Sequence, residues 1–148
     1  MTDVAQQVNS PEDLLKLENQ VCFALAVASR GVVGLYRPIL EPLGLTHPQY
    51  LVMLALWDRS PRSVKDIGAE LQLEPATLSP LLKRLEASGY VERALRVELT
   101  ATGRALRAKA LAIPPAVMGL LKMDADQLGE LRDALHRVIA AVDAAPVA

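Results

Sequence analysis

The sequence predicts a mainly α-helical fold with a small β-wing, in which a winged helix-turn-helix core is flanked by N- and C-terminal helices. Two short helical segments are joined by residues 72–74, which is the spacing of a helix-turn-helix. Apolar residues alternate with period two directly afterwards, as in a β-hairpin, and helical periodicity dominates both sides of this core. The 148 residues, of which 51% are hydrophobic, are sufficient for one packed domain over 1–148.

The N-terminal part predicts one long amphipathic helix. Ser10 and Pro11 have the pattern of an N-cap followed by proline at the first helical position. Apolar residues then recur at steps of three and four from Leu14 to about Tyr36. We expect this helix to end or kink around Pro38, because proline lacks the backbone N–H that a helix interior requires.

Three further helices form the predicted core. A T-x-x-Q capping box predicts a helix over 46–58, and serine at the start of 63–71 predicts a short one there. The next helix covers 75–87, and Gly89 follows at the position of a C-cap glycine.

The predicted wing has an unusual turn. Residues 90–93 and 96–100 alternate as strands should, which leaves only Ala94 and Leu95 to connect them. Two-residue hairpin turns need positive φ, normally supplied by Gly, Asn or Asp. Either the wing is short and irregular or a tip segment is missing from the chain, and the turn chemistry favours the second alternative.

The C-terminal part predicts two more helical stretches. Thr100 or Thr102 can cap the first, which Pro114 and Pro115 interrupt, and Asp124 caps the last.

Composition argues against several classes of protein. A single cysteine, Cys22, excludes an internal disulfide framework and a Cys-rich zinc site, and we expect no cofactor. No apolar run approaches the roughly 18 residues of a spanning helix, so a reducing cytoplasm is the expected location. His47 and His136 lie far apart and no Gly-rich loop is present, so little supports an enzyme.

Charge is distributed unevenly along the chain, although its net value is only −1. Residues 1–57 hold three basic and five acidic side chains, and residues 110–148 hold the same numbers. Residues 58–109 hold ten basic and seven acidic side chains, and this segment contains the winged unit. Because phosphate contacts require local Lys and Arg rather than a basic whole, the pattern favours DNA binding.

Candidate DNA contacts lie on the helix over 75–87 and on the wing. Small and hydroxyl side chains can approach base edges in a major groove, and basic ones can reach phosphate or guanine. The outward residues of this helix are Ala76, Thr77, Ser79, Pro80, Lys83 and Arg84. Arg93 and Arg96 are wing candidates for phosphate or minor-groove contact. For each residue, an ordinary solvated surface role is the competing interpretation.

Several segments resemble one family. Residues 43–57 (LGLTHPQYLVMLALW) and 76–86 (ATLSPLLKRLE) resemble the MarR family of bacterial transcriptional regulators. Residues 19–25 (NQVCFAL) are similar to its organic-hydroperoxide-sensing, OhrR-type branch. Residues 99–106 (LTATGRAL) resemble the family's segment after the wing.

The resemblance implies a symmetric homodimer on a palindromic DNA operator, packed through helices in 11–45 and 101–148, with 46–100 as the DNA-binding lobe. It maps the sensing cysteine to Cys22 and a thiolate-supporting tyrosine to Tyr36. Fourteen residues of straight helix span about 21 Å, so these two residues can meet only across two subunits.

Two departures from the family pattern matter. The branch usually has a second tyrosine where this chain has His47, which can still donate to a thiolate and, if protonated, would make sensing depend on pH. The wing also lacks the acidic and arginine-rich tip that is common in the family.

The implied mechanism begins with Cys22 as a thiolate held by hydrogen bonds from Tyr36 and His47. An organic hydroperoxide, the inducer, oxidises it to sulfenic acid. Because the chain has no second cysteine, a small thiol then forms a mixed disulfide, unless the partner's Cys22 can reach it. The altered dimer releases its operator and repression ends.

Other interpretations remain open. A MarR-type regulator that responds to a small aromatic ligand would make Cys22 incidental, and a lone cysteine in a helix is commonly a small buried hydrophobe. A thiol peroxidase and a helical adaptor that has lost DNA binding are further alternatives.

Overall fold

The computed structural model describes residues 10–146, and it is mainly helical with one two-stranded antiparallel sheet, as predicted. The elements are α1 (Val21–Leu40), α2 (His47–Asp58), α3 (Val64–Leu71), α4 (Pro75–Ala87), β1 (Val91–Arg93), β2 (Val97–Leu99), α5 (Ala101–Ala110), α6 (Ile113–Leu121) and α7 (Ala125–Ala144). Short 3-10 helices lie at Asp13–Leu15, Leu17–Asn19 and Glu41–Leu43.

The first helix starts later than its apolar periodicity predicts. It begins at Val21 rather than near Leu14, and two 3-10 turns precede it. The side-chain amide of Asn19 donates to the carbonyl of Asp13 at 2.6 Å, and that of Gln20 donates to the carbonyl of Leu14. These side chains occupy carbonyls that an α-helix would use, so local side-chain bonding replaces the first helical turns.

The helix-turn-helix core forms as its capping signals predict. The hydroxyl of Thr46 accepts from the N–H of Gln49 and the Gln49 side chain accepts in return, which completes the capping box of α2. The Ser63 hydroxyl caps α3. Gly89 has φ +81° just after α4, a backbone conformation that favours glycine. The hydrophobic core lies between these helices, and the wing closes one side of it.

The wing is short but complete. Val91 pairs with Leu99 and Arg93 pairs with Val97, so three residues, 94–96, connect the strands. The expectation of a two-residue turn was wrong by one residue. A three-residue connection closes here with no residue of positive φ. The given chain therefore forms a short wing.

Helix α5 packs closely behind the wing. The Trp57 indole N–H donates to the carbonyl of Gly103 at 2.9 Å, and the N–H of Thr100 donates to the carbonyl of Tyr90 at 3.1 Å. A Cβ atom at Gly103 would lie 2.0 Å from the Tyr90 carbonyl oxygen, so only glycine permits this approach. Thr100 caps α5, as predicted.

The two 20-residue helices, α1 and α7, are poorly covered by their own chain. Leu40 is the one buried residue of α1, and α7 has none. Val21–Leu43 has a mean hydropathy of 1.3 over its most apolar window and only 6% of that window is buried, so it is long and apolar enough to cross a membrane by length and composition. The expectation that no segment meets this criterion was wrong. Arg30 and Arg37 interrupt the apolar stretch.

Candidate DNA interface and thiol site

Helix α4 presents its predicted DNA-facing residues to solvent. Leu78, Leu82 and Leu85 have no exposed surface, because they anchor one side of the helix in the core. The opposite side carries small, hydroxyl and basic groups. All six predicted residues on it are exposed: Ala76, Thr77, Ser79, Pro80, Lys83 and Arg84. The helix is continuous through Pro80. This side can therefore enter a groove without disturbing the core.

The wing carries one arginine at the end of β1 and the other in the connecting loop. Arg96 is exposed and Arg93 is half-buried, with its backbone N–H donating to the Glu86 carboxylate at 3.0 Å. Leu95, at the tip, is fully exposed. Both arginines therefore flank the tip residues Ala94 and Leu95, at the end of the wing that can approach phosphates.

The basic character of the lobe needs one correction. Arg62 was counted with the basic residues of the segment, but it is buried and ion-paired with Asp66 and Glu70. Arg59 is exposed and also pairs with Asp66, at 3.1 Å. Charge counting missed both pairings, because it does not distinguish free cations from paired ones. The remaining candidates for phosphate contact include Lys65, which is exposed at the start of α3.

The predicted thiol site is only partly assembled in one chain. Cys22 is exposed near the start of α1. Tyr36 lies on the same helix, fourteen residues away, which corresponds to about 21 Å along the axis. The structure brings Tyr36 and His47 together, with ring centroids 4.7 Å apart in an edge-on arrangement. It does not bring either of them to the cysteine of the same chain.

Tyr50 completes an aromatic cluster that the sequence did not single out as a site. Its ring centroid is 5.9 Å from that of Tyr36 and 6.4 Å from that of His47. The spacing of His47 and Tyr50, three residues apart on a helix, was the available signal, since such residues share one face. The cluster joins the C-terminal part of α1 to the first turn of α2.

Burial sets the protonation of this cluster. It raises the pKa values of Tyr36 and Tyr50, and the neighbouring Tyr36 raises that of Tyr50 further. Both hydroxyls therefore keep their protons at neutral pH. Burial lowers the pKa of His47, so the imidazole is neutral at pH 7 and has one N–H to donate. The cluster is therefore a set of neutral hydrogen-bond donors, which suits an incoming anion.

No group of three metal-binding side chains occurs among residues 10–146.

The fold, with α4 exposed as the helix that can enter a groove (the recognition helix), defines a winged-helix DNA-binding protein. Residues 45–98 match the MarR family. The chain is 39% identical, over 135 residues, to the organic hydroperoxide resistance transcriptional regulator of Bacillus subtilis strain 168, covering 86% of this chain and 92% of that one. The chain belongs to the MarR family of transcriptional regulators, which are DNA-binding transcription factors and not enzymes.

Two states of one solved relative are similar to this chain. Reduced AbfR bound to DNA has a TM-score of 0.77 at 30% identity, covering 90% of this chain and 97% of that one. Disulfide-formed AbfR has a TM-score of 0.61 at 31% identity, covering 89% and 93%. The structure is thus more similar to reduced, DNA-bound AbfR than to disulfide-formed AbfR.

Proposed function

We propose that this regulator is a cytoplasmic repressor that senses organic hydroperoxides through oxidation of Cys22 and then releases its operator. The observation that carries the proposal is the exposed thiol on a helix whose further end holds a cluster of neutral donors, Tyr36 with His47. The similarity to the Bacillus subtilis organic hydroperoxide resistance regulator supports the choice of oxidant.

A second copy of the chain completes the site. Large apolar side chains remain exposed on both long helices, among them Val27 at 46% on α1 and Ile139 at 43% on α7. Covering them requires a partner, since isolated apolar faces of this extent are unfavourable in water. Fourteen residues of helix rotate by about 1,400°, so Cys22 and Tyr36 lie only about 40° apart around α1. An antiparallel partner therefore brings its Cys22 to this chain's Tyr36 and His47.

The chemistry uses one thiolate and one peroxide. The Cys22 thiolate attacks the outer oxygen of the hydroperoxide, the O–O bond breaks, and the alkoxide leaves as an alcohol after taking up a proton. The sulfur loses two electrons and becomes a sulfenic acid. A small thiol then condenses with it, which forms a mixed disulfide and releases water. Hydrogen bonds from Tyr36 and His47 stabilise the thiolate before the reaction, and the product no longer fits them.

Release of DNA follows from the position of the donors. His47 begins α2, which packs against the recognition helix α4. A bulkier sulfur at the cluster displaces the start of α2 and, with it, the spacing of the two recognition helices in the dimer. A palindromic operator requires that spacing to match successive major grooves. The proposed contacts are those of α4 and of Arg93 and Arg96.

The test is a titration of operator DNA binding with an organic hydroperoxide, paired with intact-mass measurement. The probe is a duplex carrying the palindrome upstream of the regulator's own gene. We expect release to parallel the conversion of one cysteine per chain, and the C22S variant to bind DNA and ignore the oxidant. The proposal is wrong if C22S still releases DNA on oxidation. Continuous peroxide consumption would instead indicate a peroxidase.

A second candidate is a response to a small aromatic ligand. A cavity of about 350 Å³ between α2 and the α5–α6 region is lined by Tyr50, Trp57, Arg107 and Leu111, among others. Asp58 lines the cavity as well, so two aromatic rings and a pair of opposite charges suit a small aromatic ligand with a hydrogen-bonding group. Release of DNA from C22S by salicylate, without any mass change, would support this function over oxidation.

A further inference from the structure

A buried arginine lies where the wing meets the helices. Arg62 is only 3% exposed, in the loop between α2 and α3. Buried arginines are uncommon, because removing the guanidinium from water is costly unless its donors are paired. The contacts of this residue therefore indicate what its burial accomplishes.

The side chain of Arg62 joins α2 to α3. Its Nη1 donates to the carbonyl of Ala55 in the last turn of α2 at 3.1 Å, and its Nε donates to Asp66 Oδ2 at 2.7 Å. Its Nη2 donates to the carboxylate of Glu70. The hydrogen bond to Arg62 is also the main reason that the pKa of Asp66 lies below its usual range. One guanidinium therefore fixes the end of one helix relative to two turns of the next.

The backbone of Arg62 joins the same loop to the wing. Its N–H donates to the carbonyl of Val97 at 3.0 Å, and the N–H of Val97 donates to the carbonyl of Arg62 at 2.8 Å. The hydroxyl of Ser60 accepts from the N–H of Leu99 at 3.0 Å. The loop is therefore bonded to β2 of the two-stranded sheet through a single bridging residue, Arg62.

The wing depends on this attachment more than a long hairpin would. It has three residue pairs, and its inner strand β2 is the one bonded to Arg62. Arg96 directly precedes Val97, and Arg93 is the cross-strand partner of Val97. Both arginines are thus direct neighbours of Val97, the wing residue to which the backbone of Arg62 is bonded.

We propose that Arg62 is a positioning residue for DNA binding: its buried guanidinium fixes the loop that is bonded to the wing against α2 and α3, so that Arg93 and Arg96 reach phosphates in register with α4. This inference rests on the proposed wing contacts and is independent of the thiol chemistry. Arg62 itself touches no DNA. Its removal should therefore act through the two wing arginines.

The experiment is a double-mutant comparison with the reduced, full-length protein and the palindromic duplex described above. Affinity is measured at several salt concentrations for the wild type, R62M, the R93A/R96A double variant and the triple variant. The salt slope falls by about 0.9 for each lost phosphate contact, and a homodimer loses four such contacts, so R62M and R93A/R96A should each lower the slope by about 3.6. In the R62M background, the R93A/R96A changes should have no further effect on affinity or slope.

A purely structural role would give a different result. It would lower the thermal midpoint of R62M while leaving the salt slope and the effect of R93A/R96A unchanged, and that outcome overturns the proposal. If R93A/R96A has no effect in an otherwise wild-type protein, Arg93 and Arg96 do not contact DNA, and the proposal for Arg62 is wrong.

Two further variants complete the design. R59M removes a neighbouring arginine that also pairs with Asp66 but is 65% exposed in its side chain, so it should leave the wing's contribution intact. An equal loss in R59M would mean that charge, and not position, is responsible. If R62M does not fold, D66A/E70A tests the same tie from the other side, because it removes the acceptors of the Arg62 Nε and Nη2. We expect this variant to lower the salt slope in the same direction, and an unchanged slope overturns the proposal.

Discussion

Substitution of Gly103 by alanine tests the closest backbone approach in the molecule. A Cβ at this position lies 2.0 Å from the carbonyl oxygen of Tyr90 and 3.3 Å from a methyl carbon of Leu99. Helix α5 and the start of the wing must then separate by more than about 1 Å to reach an ordinary non-bonded distance. We expect G103A to be strongly destabilised, although alanine is the better helix former.

The magnitude follows from the bonds that this separation strains. The carbonyl of Tyr90 accepts from the N–H of Thr100, and the carbonyl of Gly103 accepts from Trp57. Each hydrogen bond contributes about 1 kcal/mol, and overpacking adds about 1–3 kcal/mol. Replacing a helical glycine returns about 1 kcal/mol. The net loss is about 2–4 kcal/mol, or roughly 5–15 °C in thermal midpoint for a chain of this size.

Gly119 provides the matched control. It lies inside α6 and a Cβ there meets nothing within 4 Å, so G119A gains helix propensity without a clash. Both variants are compared by thermal and urea unfolding at one protein concentration, since association shifts apparent stability. We expect G119A to be stabilised by about 0.5–1 kcal/mol. Equal effects of the two substitutions would refute the reasoning.

Three further outcomes are expected. Y90F removes the hydroxyl that donates to the Leu43 carbonyl at 2.7 Å, so its free energy of unfolding in urea should fall by about 1 kcal/mol. Y50F is the control, because the Tyr50 hydroxyl makes no such bond in the described part of the chain, and it should change less. Equal losses in the two variants would contradict this. Burial lowers the pKa of His47 below 6.5, so as the pH drops the unfolded chain binds a proton at this residue before the folded chain does. The free energy of unfolding should therefore fall below about pH 6.5 and level off below the pKa of the folded state. If H47N showed the same pH dependence, His47 would not be the cause. I139K places a charge on the exposed apolar face of α7 and should yield folded monomers in sedimentation, and a persistent dimer would exclude that face from the interface.

Local sequence signals predicted most of the DNA-binding lobe. The capping groups of α2, α3 and α5 and the left-handed Gly89 act over a few residues, so they can be recognised without knowing the rest of the fold. The exposed side of α4 follows from helical periodicity alone. These features were confirmed because local bonding and tertiary packing favour the same conformation.

The errors have a different origin. The late start of α1 results from side-chain amides of Asn19 and Gln20 that compete with the helix, which apolar periodicity does not register. The exact length of the wing turn depends on strand register, and a shift of one residue changes the turn type. The pairing of Arg62 depends on Asp66 and Glu70 meeting it across a loop, which a count of charges cannot reveal.

The proposed thiol site could be predicted only in part, because one chain does not bring Cys22 to Tyr36 and His47. Cys22 was recognised from its neighbours in sequence, and Tyr36 and His47 do meet in the structure. The proposed contact between the thiol and these donors would need a second chain, because Cys22 and Tyr36 lie about 21 Å apart along α1.

Helix α2 connects the proposed thiol site to the DNA-binding lobe. Its first turn carries His47, which faces Tyr36, and its last turn carries Ala55 and Trp57, which hold Arg62 and α5. The helix has twelve residues, about 18 Å, and its centre is buried in the core. A packed helix moves as a unit more readily than it bends, so displacement of its first turn must also displace the attachments of the wing. Oxidation at the cluster should therefore alter the wing and the recognition helix together, and R62M, which cuts one of these attachments, should reduce the part of the response that passes through the wing.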